Sequence, residues 1–245
     1  MGKSQKQARR ELIEKMQRDQ AKADRRRTIL IVVVAAVVGL AIIAYPAIRL
    51  IQDSRIKNTA IAETGMAMSA AGCDAPTTEK ASGNQDHQPD GTAIKYAQSP
   101  PSNGSHYQTW AEFGKTFYDA SDRPPVGNLV HNLEHGYTIL WYNDTIAGDS
   151  DQMEQIERIA KGKLPEVANG KFIAAPFHAS DGAAWPAGKN IAFSHWGGPT
   201  DTSTEEKFAS SQSGHRQFCT SVSGEALSKF IEQYPASDSP EPQGG

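Results

Sequence analysis

Residues 28–48 read TILIVVVAAVVGLAIIAYPAI, 21 positions without one charged side chain. At a rise of about 1.5 Å per residue, such a run crosses the hydrocarbon core of a bilayer as a single helix. The 27 residues ahead of it hold ten Lys or Arg and four Asp or Glu, a net charge of +6. The far flank, to residue 57, offers only Arg49, Arg55 and Lys57 as bases. Positive charge gathered before an apolar span predicts a cytoplasmic N-terminus and an extracytoplasmic remainder. Arg25-Arg26-Arg27 stand where anionic head groups would meet them, so membrane lipids are the first expected partner. The whole chain carries −3, which leaves residues 28–245 at −9 and makes the outer part acidic.

A cleavable signal peptide has an apolar region of about 7–15 residues with small residues close behind it. The run here is longer and its basic prelude more extended, which favours a retained anchor. Ala70-Ala71-Gly72-Cys73 resembles a lipidation site only loosely, because it lacks a leucine and lies some 24 residues past the apolar run. In the basic arm the apolar residues, such as Leu12, Ile13 and Met16, are too few for a packed core. Such an arm is solvated or lipid-facing, and no nucleic acid partner is expected of it.

Composition then divides the chain into a basic cytoplasmic arm (1–27), a transmembrane helix (28–48), a juxtamembrane segment and linker (49–92), an extracytoplasmic globular domain (93–235) and a disordered tail (236–245). Residues 74–92 are polar with scattered Pro and Gly and few large apolar side chains, which predicts a linker or a surface loop. The tail holds two prolines after Pro235 and ends on two glycines.

Within 93–235 the periodicity changes in order. Residues 137–142, Tyr-Thr-Ile-Leu-Trp-Tyr, are β-branched and aromatic and predict a strand. A helix follows, with Asp151 as the expected cap and Met153, Ile156, Ile159 and Ala160 on one face, to a stop at Gly162. Residues 171–175 and 190–196 read as two more strands. Leu227, Phe230, Ile231 and Tyr234 recur at i, i+3, i+4 and i+7 before Pro235 and predict a closing helix. The order predicts an α+β (or α/β) domain, a small mixed sheet with packed helices behind the single N-terminal helix.

The only two cysteines, Cys73 and Cys219, both follow the apolar run. In an oxidising compartment an even pair predicts a disulfide, here stapling the membrane-proximal segment to the loop before the last helix. A loop of roughly 145 residues closed this way loses about 4–5 kcal/mol of unfolded-state entropy. Two free thiols, or a metal-binding pair with histidines, are the alternatives.

All seven histidines lie beyond the apolar run, and the sharpest pattern among them is His131-x-x-Glu134-His135. On a helix the two imidazoles share a face about 6 Å apart and suit one metal ion. Extended, they stand about 13 Å apart and cannot share one. His106, His131 and His135 are the candidate metal ligands, with copper or zinc as the ions these donors suit. Met66 and Met68 are further candidates if the ion is copper. A plainer reading makes His131, Glu134 and His135 a hydrogen-bonded turn that positions the strand. The pattern also matches the inverted zinc-peptidase signature, with Glu134 as general base and Glu205 or Glu206 as a third ligand.

The stretch Pro100-Pro101-Ser102-Asn103-Gly104-Ser105-His106-Tyr107, followed by 129–136 (Leu-Val-His-Asn-Leu-Glu-His-Gly) and a strand, resembles the bacterial domain-of-unknown-function family 3105. The resemblance runs from about Cys73 to Tyr234. It implies an envelope domain, commonly behind one membrane anchor, and assigns no catalytic role. Asn103-Gly104 predicts a tight turn before His106. A Gly-x-Ser-x-Gly elbow and a phosphate loop are both absent.

The expected protein is therefore a non-enzymatic, membrane-anchored extracytoplasmic domain. It binds a metal ion or a partner, such as a larger cell-envelope or membrane protein complex, with Trp110, Phe113, Trp141, Trp185 and Trp196 as possible anchors for the latter. The alternative is a zinc-dependent hydrolase built on His131, Glu134 and His135.

Overall fold

The structure is a computed structural model. It describes all residues except 1, 59–60, 83–84, 163–167, 169 and 245, and at 2–13, 21, 23, 47 and 49–58 it describes the backbone alone. Leu12, Ile13, Arg49, Arg55 and Lys57, named above, lie outside the described side chains. The chain divides into two units, Met1–Ser54 and Arg55–Gly245. The first belongs to α1 (Gly2–Asn58), whose stretch Glu14–Pro46 is long and apolar enough to cross a membrane. Leu30, Leu40, Ile42 and Ile43 on it are all exposed.

In the second unit the aromatic and β-branched run becomes β4 (Thr138–Tyr142), all five residues buried. Alternation along the strand sends Leu140 and Tyr142 to one face and Ile139 and Trp141 to the other. β4 pairs in parallel with β5 (Phe172–Pro176) and antiparallel with β6 (Ile191–Gly197). β6 pairs antiparallel with β7 (Ser213–Cys219), and β7 with β1 (Thr77–Lys80), giving the order β1-β7-β6-β4-β5. The mixed sheet with packed helices is α+β.

A separate core covers each face. On one side Ile156, Ile159 and Ala160 of α4 (Ser150–Lys161) and Leu227, Phe230 and Ile231 of α6 (Gly224–Gln233) pack with Phe172, Ile191 and Phe193. On the other, Leu129, Val130 and Leu133 of α2 (Val126–Glu134) pack with Ile139, Trp141, Ile173 and Trp196. Among the described residues, further short helices include α3 (Asp144–Ala147) and α5 (Glu205–Ser210). Cys73 and Cys219, 146 residues apart, stand at disulfide-bonding distance beside the α4/α6 core.

Four expectations are revised. Residues 74–92 are not a bare linker: they supply edge strand β1 and also β2 (His87–Gln88), which pairs in parallel with β3 (His106–Tyr107). An edge strand tolerates polar side chains on both faces, so its sequence reads as loop. The region before the last helix is the seven-residue strand β7, whose polar sequence is explained by partners: Arg216 pairs with Glu79, and Gln217 donates to the carbonyl of Asp74. Asp149, not Asp151, caps α4, accepting from the backbone N–H groups of Asp151 and Gln152. Residues 236–244 are docked rather than disordered. Lys171 Nζ donates to the carbonyls of His135, Pro242 and Gly244 at 2.8, 2.9 and 2.8 Å, backbone contacts that composition does not record.

Candidate metal centre

The site begins with how α2 is held. Pro125, at φ −51° and ψ 149°, precedes its first turn, and its fixed φ suits that position. Gly136, at φ +86°, ends the helix in the left-handed region, where a Cβ would overlap the Ala236 carbonyl oxygen. Asn132 accepts from the Ala111 N–H at 2.8 Å and donates to its carbonyl at 3.1 Å, while Asn128 donates to the Thr109 carbonyl. These asparagines, one turn apart, fasten the 109–111 loop to the helix. Trp110 is thereby set with its ring 5.3 Å from that of His131.

The Asn103-Gly104 turn forms as expected, with Gly104 at φ +121° and Asn103 accepting from the Ser82 N–H at 2.9 Å. The Gly104 carbonyl then faces His106 Nδ1 at 2.9 Å, and the Tyr107 carbonyl faces His131 Nδ1 at 2.7 Å. A carbonyl only accepts, so in both rings Nδ1 carries the hydrogen and Nε2 is left as the donor atom for a ligand. The β2–β3 register sets His87 directly opposite His106. Ring centroids of His87, His106 and His131 lie 4.7–4.9 Å from one another.

Glu134 completes the group. One ligand atom from each of His87, His106, His131 and Glu134 falls within 4.8 Å of all the others. The Glu134 carboxylate is fully buried, with Oε2 3.0 Å from His106 Nε2 and 3.9 Å from His87 Nε2. His106 Nε2 and both Glu134 oxygens have no hydrogen-bond partner, although the first pair is close. Two acceptor atoms buried at that distance require a cation between or beside them, a proton or a metal ion.

Burial and neighbouring groups shift His131 and Glu134 in defined directions. Burial pushes the His131 imidazole down to about 4; the Tyr107 carbonyl opposes the shift, and His106 and His135 add to it. Burial alone would lift the Glu134 carboxyl, but His106, Gln85 and His131 outweigh it and hold it below the usual carboxylate value. A neutral His131 imidazole beside an ionised Glu134 carboxylate is the protonation pairing that binds divalent metals.

Of the sequence candidates, the structure brings His106, His131 and Glu134 together. His135 forms the C-cap of α2, its ring centroid 4.8 Å from that of His131, yet its ligand atom groups with Glu134 and Glu241. Glu205 and Glu206 are exposed on α5 and fall in neither group. Met68 packs against the α4/α6 core, which is not the core behind α2, and Met66 is exposed. Trp141 and Trp196 are buried in the core, Trp185 and Phe113 are half-buried, and Trp110 alone of the five is exposed, at 48%. His87, exposed, and Glu241 were missed. Both sit in polar segments without periodicity, and only the pairing of β2 with β3 and the docking of the tail bring them in.

Fold and site together define an α+β domain with a three-imidazole, one-carboxylate cluster, buried except for His87, in a chain that also carries one helix long enough to span a membrane. The chain belongs to the family described as protein of unknown function (DUF3105), which matches residues 87–245. That match starts at His87, takes in the C-terminal segment and leaves Cys73 outside. No curated protein and no solved structure matches the chain.

Proposed function

We propose that this is a membrane-anchored, extracytoplasmic metal-binding protein whose ion is held by His87, His106, His131 and Glu134. The observation that carries the reading is the convergence of four ligand atoms, on three buried side chains and His87, with His106 Nε2 standing 3.0 Å from the Glu134 carboxylate. Three imidazoles and one carboxylate are borderline nitrogen and oxygen donors, suited to zinc or to copper in its divalent state. Four protein ligands close a tetrahedral shell, the pattern of a site that holds an ion rather than one that activates water on it. Glu134 stands among the ligand atoms and so is not free to act as general base, which disfavours the inverted zinc-peptidase alternative. His87 is the exposed member, and it gives the ion its route in and out.

Support for the setting comes from the apolar stretch of α1, the +6 arm before it and the bonding distance of Cys73 and Cys219, a pairing suited to an oxidising compartment. An accessory role in a larger envelope complex fits that setting, with exposed Trp110 at the rim of the site as the contact it would offer.

The test is elemental analysis of the full chain purified in mild detergent, beside His106→Ala and His131→Ala. Stoichiometric metal that both variants lose supports the reading. A folded, metal-free wild-type chain that also takes up no added zinc or copper overturns it. A reporter fused after residue 245 is expected to be active only on the outer side of the membrane.

A further inference from the structure

We infer that the Glu134 carboxylate is shared between two metal ions, the second held by Glu134, His135 and Glu241 of the C-terminal segment; this rests on the first ion being bound as proposed above. One ligand atom of each of these three residues lies within 4.8 Å of the other two, and His135 Nδ1 stands 3.6 Å from Glu241 Oε2. Ligand atoms on one tetrahedral ion are separated by about 3.3 Å at bond lengths of about 2.0–2.1 Å, so closure needs only small rotamer shifts.

Two observations beyond the closeness of the two carboxylates point to a ligand there. The His135 side chain is 8% exposed, and its Nδ1 is buried without a hydrogen-bond partner. Glu134 offers two unpartnered oxygens, which is one more than a single ion needs, and a carboxylate bridging through both sets ions at the spacing of about 3.5–4 Å found in two-metal sites.

The fold also explains how a residue more than 100 positions away reaches α2. The Glu241 N–H donates to the Glu134 carbonyl at 3.0 Å, and Lys171 ties Pro242 and Gly244 to the His135 carbonyl. Gln85 donates to Glu241 Oε1 at 3.3 Å, linking the tail to the segment that carries His87. Two carboxylates and one imidazole make a harder donor set than the first, and three protein ligands leave one position for water or an anion.

The experiment is a count of ions on the full chain in mild detergent, stripped of metal, loaded with excess zinc and desalted. Two per chain are expected in the wild type, and one in Glu241→Gln and in His135→Ala. Glu241 is a half-exposed surface residue, so its conservative replacement leaves the fold intact. One ion in the wild type and in both variants overturns the shared carboxylate while leaving the first site standing; no ion in any of them removes both. Loaded with divalent copper, the wild type should give a spin-coupled signal integrating to clearly less than two unpaired electrons per chain. A full two-electron signal would mean separate sites and overturns the bridge.

Discussion

Two histidine clusters, buried except for His87, sit in this domain, and they are built differently. His195 and His215 lie beside Tyr234, with the His215 and Tyr234 rings stacked at 3.9 Å. His215 meets Thr78 Oγ1 at 2.9 Å and Ser213 Oγ at 3.0 Å, and His195 Nε2 donates to the Asp238 carbonyl at 2.6 Å. One nitrogen, His195 Nδ1, is left without a partner. In the other cluster the Nδ1 atoms of His106 and His131 are spent on backbone carbonyls, and the remaining nitrogens converge on a buried carboxylate. Burial is common to both and so does not mark a site. Convergence of ligand atoms marks a candidate site, and of these two clusters only the second has it.

The sharpest way to break this comparison is to exchange the effects of the two clusters. His106→Ala is expected to weaken zinc binding by more than about 100-fold, since it removes a ligand rather than its support, while His215→Ala leaves the metal content unchanged. Elemental analysis of both variants checks this, and equal metal loss in the two would erase the distinction. Next in size is the cross-link. Cys73→Ser should cost about 2–5 kcal/mol in urea unfolding of the full chain in detergent, with no change in metal, because the pair packs with the α4/α6 core.

His215→Ala, losing a buried ring stacked on Tyr234, should lower stability by about 2–3 kcal/mol in the same assay. The last effect concerns pH. Burial first, then the nearby His195, pushes His215 down to about 4, with Asp238 opposing. The folded state therefore resists a proton that the unfolded chain accepts near pH 6.5. Stability of the metal-free protein should be full above that value and fall as pH drops from about 6.5 towards 4, a slope that His131 shares and that His215→Ala reduces. An unchanged slope in the variant would remove His215 as one of its sources.

Much of the fold was legible because apolar side chains write their periodicity into the chain. The strand at 137–142 and the helix bearing Leu227, Phe230 and Ile231 follow directly from spacing. β7 was not legible, since residues 213–219 satisfy polar side chains with partners drawn from β1 and from residue 74. The site shows the same division. Local signals reveal His106, after the Asn103-Gly104 turn, and His131 with Glu134 on α2. His87 and Glu241 depend on backbone pairing between distant polar segments, for which sequence carries no period. His135 misleads for a further reason. Its i+4 spacing from His131 implies a shared ion, but α2 stops at Glu134, and from the cap His135 groups with Glu241 instead.

The most direct measurement is X-ray absorption at the zinc edge of the full chain in detergent, loaded with one equivalent of the ion. The account predicts about four nitrogen and oxygen neighbours at about 2.0–2.1 Å, with outer-shell scattering that counts three imidazoles. A shell of oxygens without imidazole scattering, unchanged in His106→Ala, would contradict it.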